Sequence, residues 1–388
     1  MAGTFLPAAS FQAQCENPRA GNDPDGNPWP DIQGSVLDEN NFLRSYSDDT
    51  YLWYSEIVDQ DPGLFNDPLD YFDALTTDEL TQTGAPKDNF HFTVDTDEWV
   101  ALAQSGIVSG YGSQFVLISS SPPRRIVVAY TDPDTPAAGN NLVRGTEILI
   151  IDGADAIDGN DVDTLNAGLF PDTSGETHTF RIRDPDGMER DITMQSAEIT
   201  TTPVQNVSTL PTATGDVGYL VFNDHIATSE KQLVDAISQL EADGVSDLVI
   251  DLRYNGGGFL AIASQLAYMV AGPAQTGART FELQQFNTKH PSTNPVTGEP
   301  IEPIPFYSTT LGFSAAAGAT LPTLNLSTVY ILTGSGTCSA SEAIINGLRG
   351  AGVSVVQIGS TTCGKPYGFY ATDNCGETYF TIQFSGQN

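Results

Sequence analysis

The spacing of apolar residues changes along the chain and divides it into regions of different predicted structure. Between about 39 and 80, apolar and aromatic residues such as Phe42, Tyr46 and Leu75 recur at helical spacing, which predicts a small helical region. From about 101 to 198 the pattern consists of short alternating runs, which predict a short helix near 161–169 and strands at 115–118, 126–130, 147–151, 177–183 and 190–194. So many strands in so short a stretch indicate a compact, barrel-like module.

After Pro203 the pattern changes to strands that alternate with helices. The predicted strands are 217–222, 248–252, 329–332 and 353–358, and the predicted helices are 228–244 with Thr228 as its cap, 259–270 and 340–349. This order implies a largely parallel sheet with helices on its faces. Residues 272–327 interrupt the order with a Pro-rich insertion that contains a predicted strand at 280–286, and an insertion of this length is usually functional, such as a lid or a substrate-guiding hairpin.

These changes divide the 388 residues into four predicted parts. They are an irregular N-terminal tail (1–34), a helical region (35–100), a β-rich domain (101–200) and an α/β domain (201–388) that carries the insertion.

The charge of the chain argues against some classes of binding partner. With 49 acidic and 15 basic residues, the net charge is −34, which argues against nucleic acids and anionic membranes because both need a basic surface. The acidic residues are spread along the chain, and their mutual repulsion is screened by salt, so we interpret them as an adaptation to salty surroundings. Only four lysines are present, which gives added weight to each one.

The cysteines and the start of the chain indicate an exported protein. The four cysteines are an even number, which is compatible with disulfides, and Cys363 and Cys375 are close enough in sequence to close a small loop. No cysteine or histidine spacing suggests zinc. No apolar stretch is long enough to span a membrane, and residues 1–11 lack the basic and apolar parts of a signal peptide, as expected if a signal had been removed.

Ser339 lies in the segment Thr337-Cys338-Ser339-Ala340-Ser341-Glu342, which follows a buried strand and opens a helix. A serine on such a sharp turn exposes its hydroxyl beside the free N–H groups of a helix N-terminus, which can stabilise an oxyanion. The same segment also contains good helix-capping residues, so on its own it favours capping over a nucleophile.

Lys365 follows the next predicted strand, 26 residues after Ser339. Loops after successive parallel strands lie at the same edge of a sheet, so the two residues are expected to approach each other. A lysine can act as the general base if burial lowers its pKa toward neutrality. Of the four histidines only His225, which follows a predicted strand, is a serious alternative base, and a structural role is open to it as well.

The third candidate segment is DLRYNGGG (251–258), in which three glycines lie at a strand–helix junction. Glycines there let the backbone approach a ligand and leave N–H groups free. Phosphate binding is the runner-up, but no Gly-Lys-Ser/Thr follows, so an oxyanion hole beside a serine nucleophile fits better than a P-loop.

Taken together, the motifs resemble those of the C-terminal processing (tail-specific) proteases, a family of serine peptidases with a Ser/Lys dyad. The matching segments are DLRYNGGG (251–258), TCSASE (337–342) and GSTTCGK (359–365), in the family's order and nearly its spacing. Residues 51–62 resemble the family's entry region and residues 126–153 resemble the core of its PDZ domain. The resemblance covers about residues 40–388.

The resemblance implies a role for each matched residue. Ser339 would be the nucleophile and Lys365 the base, and the oxyanion donors would be the amide of Ala340 and one from Gly257 or Gly258. The implied reaction is acyl transfer, in which Ser339 forms an acyl-enzyme that water hydrolyses.

The resemblance also implies a fold and a substrate. The fold would be a crotonase/ClpP-like α/β catalytic domain with a PDZ-like β-rich domain and a small helical N-terminal region. The Gly110-Tyr111-Gly112 turn would hold the C-terminal carboxylate of a protein or peptide substrate, which would pair with the next strand by β-augmentation. No metal or organic cofactor is implied, and the implied location is the periplasm, the cell envelope or the extracellular space.

The chain departs from the family pattern at several positions. Phe369 stands one turn after the lysine, where many relatives have an assisting glutamine, and Thr146 stands where the PDZ pattern has aspartate. Ser341 would cap the helix. The chain also stops directly after a predicted strand at 378–384, as a fragment would.

Two other classes of function remain open at this stage. The missing glutamine motivates a catalytically weak peptide-binding module on the same scaffold, which would not be acylated at Ser339. A crotonase-type acyl-CoA enzyme would share the strand–helix order and the oxyanion glycines, but it would need neither Ser339 nor a PDZ-like domain.

Overall fold

The N-terminal region is built around one long helix in the computed structural model, which describes residues 3–23 and 26–387. Its elements are β1 (Gln14–Cys15), β2 (Ile32–Gln33), α1 (Val36–Thr50), α2 (Pro68–Asp73), β3 (Phe92–Asp95) and α3 (Thr96–Val100). Helix α1 begins after Ser35, whose side chain accepts the N–H of Asp38. Phe42 and Leu43 of α1 pack against Phe72 of α2, as the helical spacing in the sequence predicts.

Residues 107–200 form a β-rich module with its own core. Its elements are β4 (Ile107–Gly110), β5 (Ser113–Ser119), β6 (Arg125–Thr131), α4 (Pro136–Gly139), β7 (Glu147–Ile151), β8 (Ala154–Asp155), α5 (Val162–Leu169), β9 (Thr177–Arg183), β10 (Glu189–Gln195) and β11 (Ala197–Thr200). Strands β10, β9, β7, β6 and β5 are adjacent in that order in an antiparallel sheet, with β8 on β7. Strand β5 therefore lies at an edge of this sheet.

The remaining residues form an α/β region, built around one five-stranded sheet. Its first elements are β12 (Val204–Thr212), β13 (Gly215–Phe222), α6 (Ser229–Asp243), β14 (Asp247–Asp251), α7 (Leu260–Ala271) and α8 (Pro273–Thr276). They are followed by β15 (Thr280–Phe286), β16 (Ile304–Pro305), β17 (Thr328–Thr333), α9 (Ala340–Gly350) and β18 (Ser354–Gly359). Strands β13, β14, β17 and β18 run parallel, and β12 joins the edge antiparallel to β13, so the predicted parallel sheet is confirmed.

Helices α6, α7 and α9 place apolar faces on this sheet. Leu233, Ile237 and Leu240 of α6 are fully buried, and burial of each such side chain stabilises the fold by roughly 2 kcal/mol. The predicted cap of α6 is wrong in its chemistry: Thr228 precedes the helix, but its own backbone is already helical and its side chain makes no capping hydrogen bond. The helix ends as predicted at Gly244, which adopts the left-handed conformation.

The chain end returns to the N-terminal region. The last strands are β19 (Tyr367–Gly368), β20 (Thr372–Asn374), β21 (Glu377–Phe380) and β22 (Phe384–Gln387). Strand β22 pairs with β15 and β19, whereas β21 pairs with β20 and with β3 of the N-terminal region. The single strand predicted at 378–384 is therefore two strands in different sheets, because residues 381–383 leave the ladder.

The insertion after α8 packs against helix α6. Its strand β15 has the predicted bounds, and a buried carboxylate, Glu230 on α6, accepts the N–H groups of Leu311, Ser314 and Ala315 and so fixes the far part of the insertion. Among the helices of the described residues, none has both the length and the apolar character that crossing a membrane requires.

Candidate active site

Three loops meet at one edge of the parallel sheet. They follow the neighbouring strands β14, β17 and β18, and they carry the glycine run at 256–258, Ser339 and Lys365 respectively. Parallel strands end at the same edge, which is why segments far apart in the sequence come together here. The three motifs thus lie at one edge of the sheet, as the order of the strands leads one to expect.

Ser339 lies on a strained turn at the start of α9. Its backbone has φ 54° and ψ −117°, a region that side-chain-bearing residues rarely adopt. The serine is half-buried at the helix N-terminus, where backbone N–H groups point outward. Gly257 makes this geometry possible, because a Cβ at that position would lie 2.8 Å from Ser339 Cβ.

Glu342 connects the serine turn to the lysine loop. Its Oε2 accepts the backbone N–H of Ser339 at 3.0 Å and that of Lys365 at 2.9 Å. Its Oε1 accepts the N–H of Gly364 at 2.9 Å and the hydroxyl of Thr362 at 2.7 Å. One carboxylate therefore fixes the backbone of both candidate catalytic residues, and hydrogen bonds of this charge-assisted kind are the stronger ones.

Two disulfides pair all four cysteines, and neither is the Cys363–Cys375 bridge predicted from sequence proximity. Cys338 pairs with Cys363, so the bond joins the residue before Ser339 to a residue two positions before Lys365. Cys15 pairs with Cys375, 360 residues away, where the N-terminal segment lies beside the turn between β20 and β21 and the N–H of Ala13 donates to Asn374 Oδ1. Spacing along the chain could not reveal either pair.

Cys338, Glu342 and Cys363 are the only group among the described residues whose donor atoms are clustered as metal ligands would be. Both sulfurs are bonded to each other, so neither is a thiolate that could bind a metal ion.

Asn255 holds the glycine loop in place through hydrogen bonds. Its Oδ1 accepts the N–H of Gly257 at 3.0 Å and faces His225 Nδ1 at 2.9 Å, while its carbonyl accepts the N–H of Cys338. The amide of Gly257 is therefore occupied. Among the described residues, no acceptor is present for the amide of Gly258 or for that of Ala340, which directly follows Ser339.

His225, the alternative base, is fully buried under this loop. Burial lowers its pKa to about 4, so the imidazole is neutral at physiological pH. It makes no hydrogen bond to Ser339 within the described chain, and its ring faces Asn255 and Phe222. The structure places it in a supporting position.

Lys365 is buried among aromatic rings. Its Nζ lies 3.8 Å from the ring centre of Phe369 and 4.7 Å from that of Phe90, a residue of the N-terminal region. Burial lowers the pKa of Lys365 to about 8, although the negative charges of Asp88 and Glu342 act in the opposite direction. No hydrogen bond joins Nζ to Ser339 Oγ in the described residues; Glu342 and the Cys338–Cys363 bond join the two loops.

Two other sequence predictions have different outcomes here. Ser341 does not cap α9, because Ser339 occupies the cap position and the hydroxyl of Ser341 donates to the carbonyl of Asn255 at 3.1 Å. The Gly110-Tyr111-Gly112 turn joins β4 to the edge strand β5, in the β-rich module. The Tyr111 ring is buried, so only its backbone can face a ligand.

Sequence reasoning missed Glu342 and Asn255. Glu342 stands three residues after Ser339, which is the spacing of a capping box and could have revealed it. Asn255 lies inside the glycine motif, but its role depends on His225, which is 30 residues away, and no local pattern indicates that contact.

Comparison with known proteins places the chain in a family. The profile of peptidase family S41 matches residues 216–368, and that of the peptidase S41 N-terminal domain matches residues 38–92. A carboxyl-terminal-processing protease from Picosynechococcus sp. is 27% identical over 179 residues, which are 43% of this chain. The aligned part spans only 39% of the length of that relative.

Solved structures support the same fold. A putative S41 protease from Bacteroides fragilis matches 93% of this chain and 87% of its own, with a TM-score of 0.66 and 22% identity. The photosystem II D1 C-terminal processing protease matches 92% of this chain and 89% of its own, with a TM-score of 0.51 and 17% identity. The mixed α/β fold is therefore that of S41 proteases, and the chain belongs to peptidase family S41, the family of serine peptidases that its motifs indicated.

Proposed function

We propose that this protein is a serine endopeptidase that uses Ser339 as nucleophile and Lys365 as general base. The observation that carries the proposal is the pairing of a serine on a strained helix-initiating turn with a buried lysine, their backbones held by one carboxylate. A serine needs a base to become nucleophilic, and a lysine whose pKa is lowered to about 8 supplies one near neutral pH.

The proposed reaction proceeds through an acyl-enzyme. Neutral Lys365 removes the hydroxyl proton of Ser339 while Oγ attacks the scissile carbonyl, and the proton then passes to the leaving amine. The amides of Ala340 and Gly258 hold the oxyanion; Gly257 is the weaker candidate because Asn255 already binds its N–H. Water then hydrolyses the ester: Lys365 accepts a proton from the attacking water and returns it to Ser339 Oγ.

Catalysis requires Lys365 Nζ to move from the rings of Phe90 and Phe369 toward Ser339 Oγ. The lysine side chain has four rotatable bonds, and its backbone is already fixed beside the serine turn by Glu342. Hydrogen bonds between catalytic groups often form only when substrate is bound. The flexible side chain of Lys365 therefore allows the proposed dyad to form.

The β-rich module supplies the proposed substrate-binding site, and we assign it as a PDZ-like domain. Within the described chain the N–H groups of Tyr111 and Gly112 have no acceptor, so they are free to bind a C-terminal carboxylate. Strand β5 next to them is an edge strand with exposed Leu117 and Ile118, which suits β-augmentation by an apolar peptide. Substrates would thus be proteins or peptides that are engaged through their C-termini.

The remaining assignments follow from the same scaffold. The parallel sheet with its oxyanion glycines is proposed to be crotonase/ClpP-like, and the domain boundaries are proposed at residues 35, 101 and 201. Two disulfides and an acidic surface suit an exported protein in an oxidising, salty environment.

The test is cleavage of an unfolded protein with an apolar C-terminus, at low and at high salt. Wild type is compared with Ser339→Ala and Lys365→Ala, and circular dichroism verifies that the variants fold. Loss of cleavage in both variants is the expected result. Cleavage that survives Ser339→Ala would exclude this serine as the nucleophile, and an inactive wild type at every salt concentration would favour a peptide-binding module.

A further inference from the structure

The Cys338–Cys363 disulfide is the covalent link nearest to the candidate active site. Cys338 directly precedes Ser339, and Cys363 precedes Lys365 by two residues, with Cα atoms of the cysteines 5.2 Å apart. Along the backbone the two half-cystines are 25 residues apart, connected through α9 and β18. The disulfide is thus a direct connection between the turn that carries the nucleophile and the loop that carries the base.

The loop that carries Lys365 needs such an anchor. Residues 360–366, between β18 and β19, contain no helix or strand, and most of them are exposed. The backbone of this loop is fixed to the serine side by the acceptors on Glu342 and by the N–H of Cys363, which donates to the carbonyl of Thr337 at 3.0 Å. A segment with so few buried contacts has low local stability unless it is tied down.

The disulfide also determines the surroundings of Glu342. Glu342 Oε2 lies 3.4 Å from Cys363 Sγ, and one donor atom each from Glu342 and the two cysteines lie within 4.8 Å of one another. Reduction would replace a compact bond with two separate thiols beside the carboxylate that holds Ser339 and Lys365. The bond therefore lies within the network that holds the backbones of both candidate catalytic residues.

We propose that the Cys338–Cys363 disulfide is a positioning element of the active site, which fixes the Ser339 turn against the Lys365 loop so that turnover requires the oxidised form. This inference rests on the proposed Ser/Lys peptidase function. It assigns to the bond a role in the rate of the reaction that is separate from the stability of the fold.

The second disulfide provides a natural contrast. Cys15 is fully buried and its partner Cys375 is half-buried, whereas Cys363 is exposed, so we expect a dithiol reagent to reach the Cys338–Cys363 bond first. One thiolate of the reagent attacks Cys363 Sγ and releases Cys338, and the second thiolate then releases Cys363. The protein gains two electrons and two protons, and the reagent leaves as its cyclic disulfide.

The experiment measures kcat and KM on a quenched fluorescent peptide with an apolar C-terminus while dithiothreitol is increased. Mass spectrometry after alkylation reports which cysteines are reduced, and near-UV circular dichroism reports the fold. We expect kcat to fall at least tenfold as Cys338–Cys363 is reduced, with KM changed less than twofold and the folded spectrum retained. Reoxidation should restore kcat.

Two variants complete the design. Cys338→Ala/Cys363→Ala should have the low kcat of the reduced enzyme and should not respond to dithiothreitol. Cys15→Ala/Cys375→Ala should keep the wild-type kcat and its response to the reagent, while unfolding at a lower temperature.

The outcomes are separable. Full reduction of Cys338–Cys363 without loss of kcat would overturn the inference, as would a loss that follows unfolding or a rise in KM. If the oxidised wild type shows no cleavage that depends on Ser339, the proposed function fails and the inference fails with it. If that cleavage is present but indifferent to reduction, only the inference fails.

Discussion

The two halves of the proposed dyad are held by opposite kinds of environment. The Ser339 turn is polar and constrained: Glu342, a disulfide and the carbonyl of Asn255 determine its backbone. The Lys365 backbone shares the Glu342 contact, but its amino group lies between two aromatic rings. The surroundings of Ser339 therefore fix the position of its backbone, whereas the surroundings of Lys365 determine the protonation of its amino group.

This difference follows from what each group must do. A nucleophile must be placed within a few tenths of an ångström, which hydrogen bonds to backbone groups achieve well. A base must be partly neutral at working pH, which for a lysine requires removal from water. The rings of Phe90 and Phe369 exclude water and also attract the ammonium ion weakly, and the net effect is a pKa lowered to about 8.

Removal of Glu342 should affect both halves of the dyad at once, because it disrupts the contact that the two environments share. Glu342→Ala leaves the N–H groups of Ser339, Gly364 and Lys365 without their acceptor. We expect kcat to fall about a hundredfold or more, since the part-buried donors of Ser339 and Lys365 lose their acceptor, at roughly 1–3 kcal/mol each, and the dyad is misplaced. Steady-state peptide cleavage measures it.

Two further variants make that measurement specific. Glu342→Gln should recover part of the rate. Its amide oxygen can still accept hydrogen bonds from one of the two backbone segments, that of Ser339 or that of the Lys365 loop. Glu241→Ala, which removes an exposed glutamate of α6, should leave kcat unchanged. A Glu342→Ala enzyme within threefold of wild type would show that the carboxylate does not position the dyad.

Replacing the lysine should stabilise the protein while abolishing activity. Lys365→Met keeps the apolar contacts and removes a charge whose burial costs about 3 kcal/mol near pH 7, from the difference between a pKa of 10.5 and about 8. The folded lysine releases its proton at lower pH than the unfolded one, so this cost is complete below about pH 8 and disappears above about pH 10.5. Urea unfolding of both proteins at pH 7 and 10.5 tests the prediction, and equal stability at pH 7 would contradict it.

The pH dependence of the rate should report the lysine environment directly. Only neutral Lys365 can accept the proton from Ser339, so kcat should rise about tenfold per pH unit up to about pH 8 and then level off. Rates are measured at constant ionic strength, because the net charge of −34 makes the fold sensitive to salt. A flat profile from pH 6 to 9 would exclude Lys365 as the titrating base.

Changes at Phe369 should have the smallest effect but should separate the two actions of the aromatic rings. Phe369→Leu keeps water out and removes the attraction of the ring for the ammonium ion, which lowers the pKa of Lys365. The rising part of the kcat–pH profile should therefore move to lower pH by about half a unit to one unit. Phe369→Gln brings in a polar group and should move this part of the profile to higher pH. Phe286→Leu, whose ring packs on Tyr370 and Phe384, is the matched control. Identical shifts in the Leu and Gln variants would refute this account.

The parts of the site that sequence could predict are those determined by strand order. The DLRYNGGG, TCSASE and GSTTCGK segments each follow a buried strand, and adjacent parallel strands bring them to one edge. Four cysteines allow three pairings, and the observed one depends on long-range contacts. Phe369 was evident as a departure from the family pattern, but its contact with Lys365 Nζ depends on side-chain packing that no spacing reveals.

The pairing of β3 with β21 has a consequence for the order of assembly. Asp95 lies opposite Glu377 in this ladder. Strand β3, which is synthesised early, can therefore pair with β21 only after the ribosome has made that much later strand. Phe90, just before β3, is one of the two rings over Lys365 Nζ. A nascent chain that ends before β21 therefore lacks the strand that pairs with β3, and with it the support that holds the Phe90 segment beside the proposed base.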